Sequence, residues 1–183
     1  MTRLLLARHG QTDDNLAGDV FQGFRDTPLN DTGRRQAEVL AAQAEADFPV
    51  DAVWSSDLKR ARETAEIVGA ALDLEPKLDP RLREGNRGAW EGRRFAEVER
   101  AEPELYRTLR STPEQMRFPG GESLAEQQQR VLAALSDIRA AGGQCALVVC
   151  HLGSIRVALC SRDPRGLSGF FAHEVENTGV VEF

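Results

Sequence analysis

Short apolar runs separated by stretches of helical period set the pattern along this chain. Residues 4–7 and Cys145–Cys150 are continuously apolar over a strand's length, and residues 51–56 form a third such segment around Ala52, Val53 and Trp54. Runs without polar alternation belong to strands buried on both faces, as in parallel sheets. Between them the spacing changes. Residues 31–46 read as a helix with Asn30 as its N-cap. Residues 58–71 read as another, with Ala61, Ala65, Val68 and Leu72 on one face. Ser123-Leu-Ala-Glu126 is a capping-box pattern opening a helix to about residue 140, which Gly142-Gly143 ends. A helix near residues 154–159 and a strand over residues 178–183 complete the alternation.

Strands alternating with helices predict an α/β domain with a mostly parallel sheet covered on both faces. The whole chain, 1–183, reads as one domain. Residues 76–94 look extended, residues 95–110 lean helical with little apolar periodicity, and Pro119-Gly-Gly121 breaks the chain. The segment 79–121 therefore reads as an insertion over one end of the sheet.

Composition narrows the classes. At 183 residues and 41% apolar, the chain can bury a core, and no run reaches the ~18–20 residues of a membrane span. The opening residues carry too short an apolar stretch for a secretory signal, so the expected location is the cytoplasm. A charge of −6, from 23 basic and 29 acidic residues, argues against bulk binding to nucleic acid or an anionic membrane. Of the basic residues only Lys59 and Lys77 are lysines, an excess of Arg that composition alone explains. The cysteines, 145, 150 and 160, form no CxxC and read as small buried hydrophobes.

Ligands of such sheets bind beyond the carboxyl ends of the strands. The first strand runs into Arg8-His9-Gly10-Gln11-Thr12, the second into Ser55-Ser56-Asp57-Leu58-Lys59-Arg60, the third into His151-Leu152-Gly153. Two of the chain's three histidines thus follow its two most apolar strands, with Arg8 and Arg60 at the same sheet end. A metal would want a third ligand, no i, i+3 or i+4 pairing supplies one, and the neighbouring guanidinium groups oppose a dication. A phosphate fits better: Arg forks and imidazole N–H groups neutralise it, while a neutral imidazole is a nucleophile at pH 7 without a separate base. What such a pair lacks is an acid for the leaving group, and Glu84 in Leu82-Arg83-Glu84-Gly85 offers one.

These residues resemble the histidine phosphatase superfamily, in the branch related to cofactor-dependent phosphoglycerate mutase. The resemblance runs through Leu6-Ala-Arg8-His9-Gly10-Gln-Thr12 with Asn15, Phe21-Gln22-Gly23, Asp26-Thr-Pro28-Leu29 and Gly33-Arg-Arg-Gln36-Ala37. It continues through Ser55–Ala65, Leu82-Arg-Glu84, Gly88-Ala-Trp90-Glu91-Gly92, Pro119–Ser123 and His151 with Ile155-Arg156. It implies a three-layer α/β/α sandwich with a small helical cap. It also implies that His9 becomes phosphohistidine, that Arg8, Arg60 and His151 bind the phosphoryl oxygens, and that Asn15 is a further donor. Glu84 would serve as acid and then base, Gln22 and Gly23 would lie in the substrate loop, and no metal or cofactor would be needed.

Three departures stand out. Leu152 separates His151 from Gly153, keeping a backbone N–H but adding bulk beside the phosphate. Gln11 replaces a common Glu. Asn86 and Arg87 stand where phosphatase-like members often carry an aromatic, a change on the substrate side. The 26 residues 93–118 mix Arg and Glu as a solvated helical face does, too short an enclosure for a mutase. The expectation is a metal-independent phosphomonoesterase acting on a small phosphorylated metabolite. A phosphoglycerate mutase is the runner-up, and a catalytically inactive phosphoester-binding domain is the reading of another class. Dimerisation is not encoded in any visible pattern. Among other residues, Trp54 reads as core, Ser123 as a cap, Arg62 and His173 as surface or structural. Trp90, Phe21, Phe24, Tyr106, Met116 and Phe118 read as cap packing or as pocket walls.

Overall fold

The computed structural model describes residues 2–183. Five strands, β1 (Arg3–Arg8), β2 (Ala52–Ser55), β3 (Lys77–Leu78), β4 (Cys145–Cys150) and β5 (Val180–Glu182), form one sheet in the order β3-β2-β4-β1-β5. All neighbours are parallel except β5, which pairs antiparallel with β1. The order places β1 and β4, the two longest apolar runs, side by side in the middle. Register pairs Arg8 with Cys150, so the residues that follow both strands emerge together.

Successive side chains of a strand face opposite sides, and the core divides accordingly. Leu5, Ala7, Val53, Leu147 and Val149 pack against α2 (Asp31–Asp47) and α3 (Lys59–Leu72) through Leu40, Ala41, Ala44, Ala61, Ala65 and Val68. Leu4, Leu6, Val148 and Cys150 pack on the other face against α6 (Leu124–Ala140) and α7 (Leu152–Cys160). This is the expected three-layer α/β/α sandwich. The caps follow the sequence reading: Asn30 accepts from Gly33 N–H, and Ser123 with Glu126 closes a capping box on α6.

Differences lie in the connections. Residues 13–17, for which the sequence pattern predicted no element, form α1 (Asp13–Ala17), because Thr12 and Asn15 satisfy each other's backbone N–H groups in a capping box. The predicted helix 95–110 is two, α4 (Phe95–Ala101) and α5 (Pro103–Ser111), since Pro103 lacks the N–H a continuous helix needs. α7 begins directly after His151, two residues earlier than expected.

The segment between β3 and α6 holds α4, α5 and three 3-10 turns, and shares its core with the α6–α7 face. Trp90, wholly buried, is a packing residue: its ring meets Phe21 at 5.1 Å and Phe118 at 5.4 Å, and its indole N–H donates to Glu102 Oε2 at 3.1 Å. Met116 and Phe118 are likewise core, while Phe21 and Tyr106 line the cavity described below. Trp54 is half-buried beneath Lys77, whose ammonium lies 5.2 Å from the ring centre. No helix among the described residues is long and apolar enough to cross a membrane.

Candidate active site

The carboxyl ends of β1 and β4 open into a cavity of about 510 Å³. Arg8, His9, Asn15, Gln22, Glu84 and Arg87 line its polar part. His9 sits where β1 ends, its backbone N–H donating to Cys150 O of β4 at 3.0 Å. Gly10 lets the chain turn there against α2: a Cβ on it would stand 2.4 Å from Gly33 O.

His9 Nδ1 lies 2.7 Å from Gly10 O, and a carbonyl only accepts, so the ring proton is on Nδ1. Nε2 is left with its lone pair. Burial, then the positive charges of Arg60 and Arg8, hold His9 well below the ordinary imidazole value, so the ring is neutral at pH 7. The second imidazole, His151, packs with its ring centre 5.2 Å from that of His9. His151 Nε2 lies 2.9 Å from Ser56 Oγ, whose oxygen already accepts from Leu58 N–H. His151 Nδ1 is a buried atom with no partner among the described residues, and His151, like Arg60, does not line the cavity. Burial and Arg60 keep His151 neutral as well.

The guanidinium groups are placed differently from one another. Arg8 lines the cavity, donates through Nη1 to Val175 O at 2.8 Å, and has a buried Nε without partner. Arg60 is wholly buried and lies outside the cavity lining. Its Nη1 and Nη2 donate to Arg25 O at 2.6 Å and Gly23 O at 2.9 Å, and burial pulls its pKa down to about 10. Arg60 therefore remains a cation whose charge is felt by both histidines, and it fastens the 23–25 loop. Gly23 enters through that carbonyl and does not line the cavity, whereas Gln22 does, with Nε2 donating to Thr12 Oγ1 at 3.0 Å. Asn15 also lines it; Thr12 and Asn177 take up its Oδ1, which leaves the Nδ2 amide as its available donor.

Glu84 comes from the turn after a 3-10 segment (Pro80–Leu82). Its Oε2 accepts from Gly153 N–H at 2.9 Å, at the start of α7. Its Oε1 accepts from Gly85 N–H at 2.7 Å, Gln127 Nε2 at 3.0 Å and Arg87 Nη2 at 3.3 Å. Burial pushes this carboxyl up, but Arg87, the Gly85 and Gly153 N–H groups and Arg60 outweigh it. Glu84 ends below its ordinary value, a carboxylate in the ligand-free site. Gly153 has to be glycine for this contact, because a Cβ would stand 2.1 Å from Glu84 Oε1. Leu152, the inserted residue, takes the first position of α7, half-buried at the cavity wall.

Sequence reasoning passed over several contributors. Arg87, placed only on the substrate side, is a buried ion-pair partner of Glu84, stacked 4.5 Å from the Phe118 ring centre. Gln127 was visible as a polar residue on the apolar face of α6, between Leu124 and Val131. Asn177 Nδ2 holds His9 O at 2.9 Å from a turn with no motif. Arg110, read as part of a solvated helical face, and Arg156, noted only as part of the motif after His151, also reach the cavity. Phe24 stacks under Arg83 and is not part of the lining. His173 Nε2 lies 3.2 Å from Asp163 Oδ2 and Arg62 Nε 3.5 Å from Glu66 Oε1, and neither residue lines the cavity.

Paired imidazoles at the carboxyl end of a parallel sheet, arginines around them and a held carboxylate beside them define a phosphate-handling α/β enzyme. The family model described as the histidine phosphatase superfamily (branch 1) matches residues 4–183, and the chain belongs to that superfamily. Putative phosphoserine phosphatase 2 of Hydrogenobacter thermophilus is 32% identical over 182 residues, 100% of this chain and 89% of that protein. A probable phosphoglycerate mutase, GpmB of Escherichia fergusonii, is 37% identical over 152 residues, 82% of this chain and 70% of its own length. The solved structure of a mycobacterial glucosyl-3-phosphoglycerate phosphatase matches with a TM-score of 0.87 at 29% identity, over 99% of this chain and 89% of that one.

Proposed function

We propose that this chain hydrolyses small phosphomonoesters through a phosphohistidine on His9, in a reaction that needs no metal or other cofactor. The observation that carries the reading is the His9 tautomer: Nδ1–H is spent on Gly10 O, and the neutral ring presents Nε2 at the cavity. In the first step Nε2 attacks phosphorus and the ester P–O bond breaks. The bond's electron pair leaves with the alcohol oxygen, which takes a proton from Glu84. In the second, water attacks phosphorus, Glu84 takes back a proton, the P–N bond breaks and phosphate departs.

Glu84 is ionised before substrate arrives. The incoming phosphoryl charge raises its proton affinity, so substrate and proton are taken up together. Arg8, the His151 imidazole and the Asn15 amide meet the phosphoryl oxygens, and the buried Arg60 adds positive charge beside the histidines. Such fixed donors stabilise the transition state without reorganising. Gln22, the Gly23 turn and the Leu152 N–H border the substrate side. The reading treats 1–183 as one catalytic domain whose insertion, about 79–121, covers the site. It acts on a phosphorylated metabolite in the cytoplasm, without nucleic acid or membrane.

Hydrolysis is favoured over mutase chemistry by the cap. Of the arginines of residues 93–118, Arg93, Arg94, Arg107 and Arg117 already pair with carboxylates, which leaves Arg110 as the one that lines the cavity. The test is hydrolysis of p-nitrophenyl phosphate in EDTA by the wild type and by His9→Ala. Turnover in the wild type and loss in the variant are expected. Activity that requires added metal, or that survives loss of His9, would overturn the mechanism. With 3-phosphoglycerate and catalytic 2,3-bisphosphoglycerate, phosphate rather than 2-phosphoglycerate is the expected product.

A further inference from the structure

Glu84 is carried by a stretch outside any helix or strand, where backbone carbonyls need partners other than a regular ladder. One side chain supplies them. Arg130, on α6, donates through Nη1 to Arg81 O and Arg83 O, both at 2.7 Å, and through Nη2 to Glu84 O at 2.8 Å. Its Nε donates to Glu122 Oε2 at 3.0 Å, and Nη2 also reaches Glu122 Oε1. A guanidinium has five N–H donors in a planar fork, and all five are used here. The pair is mostly buried, with the Arg130 side chain 20% exposed and that of Glu122 16%.

Glu122 continues the clamp. Its Oε1 accepts from Asn86 N–H at 2.8 Å and its own N–H donates to Asn86 O at 3.1 Å, so the chain is also gripped two residues after Glu84. From α7, Ser154 Oγ donates to Arg83 O at 2.8 Å. One turn before Arg130 on the same face of α6, Gln127 donates to Glu84 Oε1 at 3.0 Å. The helix thus holds the backbone of the acid–base residue with one side chain and its carboxylate with another. Arg130 and Glu122 do not line the cavity, so neither meets substrate. Arg130 is also one of the positive charges that depress His151, so the effect of its charge has to be told apart from that of its fork.

Resting on the phosphatase reading above, we propose that Arg130 and Glu122 are positioning residues for the acid–base step. By fixing the carbonyls of residues 81, 83 and 84 and the peptide of Asn86, they set the point from which the Glu84 side chain reaches the leaving oxygen. A lysine cannot replace the arginine, because an ammonium carries three donors at one point and cannot meet five acceptor atoms. Without the fork, Glu84 keeps its charge and its contacts with Gln127 and Gly153, but the backbone beneath it is free to shift. A positioned acid contributes roughly 10²–10⁴-fold, and partial misplacement forfeits part of that.

The test compares Arg130→Lys, which keeps the charge and loses the fork, and Arg130→Ala with the wild type. The esters are p-nitrophenyl phosphate, phenyl phosphate and glycerol 3-phosphate, in rising need of a proton on the leaving oxygen. In Arg130→Lys, kcat/KM should fall on the order of 30-fold for glycerol 3-phosphate, less for phenyl phosphate, and no more than about threefold for p-nitrophenyl phosphate. The loss should lie in kcat, with KM little changed. Millimolar guanidinium, which fits the vacated fork, should restore Arg130→Ala on glycerol 3-phosphate by about fivefold and leave the wild type unaffected. If Arg130→Ala does not fold, Arg130→Lys and Glu122→Gln decide by the same ordering of the three esters. Equal losses on all three esters, Arg130→Lys within twofold of wild type on glycerol 3-phosphate, or a folded Arg130→Ala that guanidinium does not restore would overturn the inference and leave the phosphatase reading intact. Failure of the wild type to hydrolyse p-nitrophenyl phosphate would instead overturn that reading.

Discussion

Gly153→Ala puts the acid–base role of Glu84 to a geometric test. The new methyl would stand 2.1 Å from Glu84 Oε1 and 2.7 Å from Arg87 Nη2, and real Cβ atoms essentially never approach within 3.0 Å. The carboxylate must therefore retreat by about 0.9 Å, and it loses the shape of its 2.9 Å bond to the Gly153 N–H. A misplacement of ~1 Å in a reacting group costs on the order of 10²-fold, or about 2.7 kcal/mol of barrier. The assay is kcat/KM on two esters. Glycerol 3-phosphate, whose alkoxide must be protonated as it leaves, should lose about that 10²-fold. p-Nitrophenyl phosphate, whose phenolate leaves without a proton, should lose far less. Alanine is the better helix former by roughly 1 kcal/mol, which offsets the crowding, so the melting temperature should not fall, and this separates the effect from unfolding. Equal losses on both esters, or activity within twofold of wild type on glycerol 3-phosphate, would refute the assignment of Glu84 as acid.

Arg87→Met removes the cation that, with the backbone N–H groups, holds Glu84 below its ordinary value. The limb of the pH–kcat/KM profile belonging to Glu84 should move to higher pH, and leaving the buried carboxylate unpaired should cost about 3–5 kcal/mol in urea unfolding. His9 and His151 are both depressed in the folded state. Their contribution is present in full above the unfolded value near ~6.5 and is lost as pH falls below it, by up to about 1.4 kcal/mol per histidine per pH unit. The urea midpoint should fall across that window, and a flatter profile in His9→Gln would verify the source. Trp90→Ala should destabilise by about 3–5 kcal/mol, because the ring is wholly buried against Phe21 and Phe118; calorimetric unfolding measures it.

The sandwich was legible because its strands are unbroken apolar runs and its main helices carry their own caps, Asn30 and Ser123 among them. Arg8, His9 and His151 could be found because the sheet brings chain-distant strand ends together at fixed register, and Glu84 because the site wanted an acid and its motif offered one. Arg60 shows where such reading stops. Its motif position was plain, but its guanidinium points to the carbonyls of residues 23 and 25, and only three-dimensional packing decides that. α1 was missed because its stability lies in a reciprocal cap between Thr12 and Asn15 rather than in apolar period. The cap resisted most. Arg110 and Arg117 look alike in a mixed-charge stretch, yet one is ion-paired with Glu126 and the other faces the cavity on Phe171. Net charge said nothing of this, since a few arginines around one cavity fix its local field.

The central claim is that the phosphoryl group passes through His9. Rapid mixing with a ³²P-labelled aryl phosphate, quenched in alkaline denaturant, should leave protein-bound label that is stable to base and lost in acid. Peptide mapping should place it on His9, and His9→Ala should carry none. Turnover by the wild type with no such label, or label that persists in His9→Ala, would contradict the account.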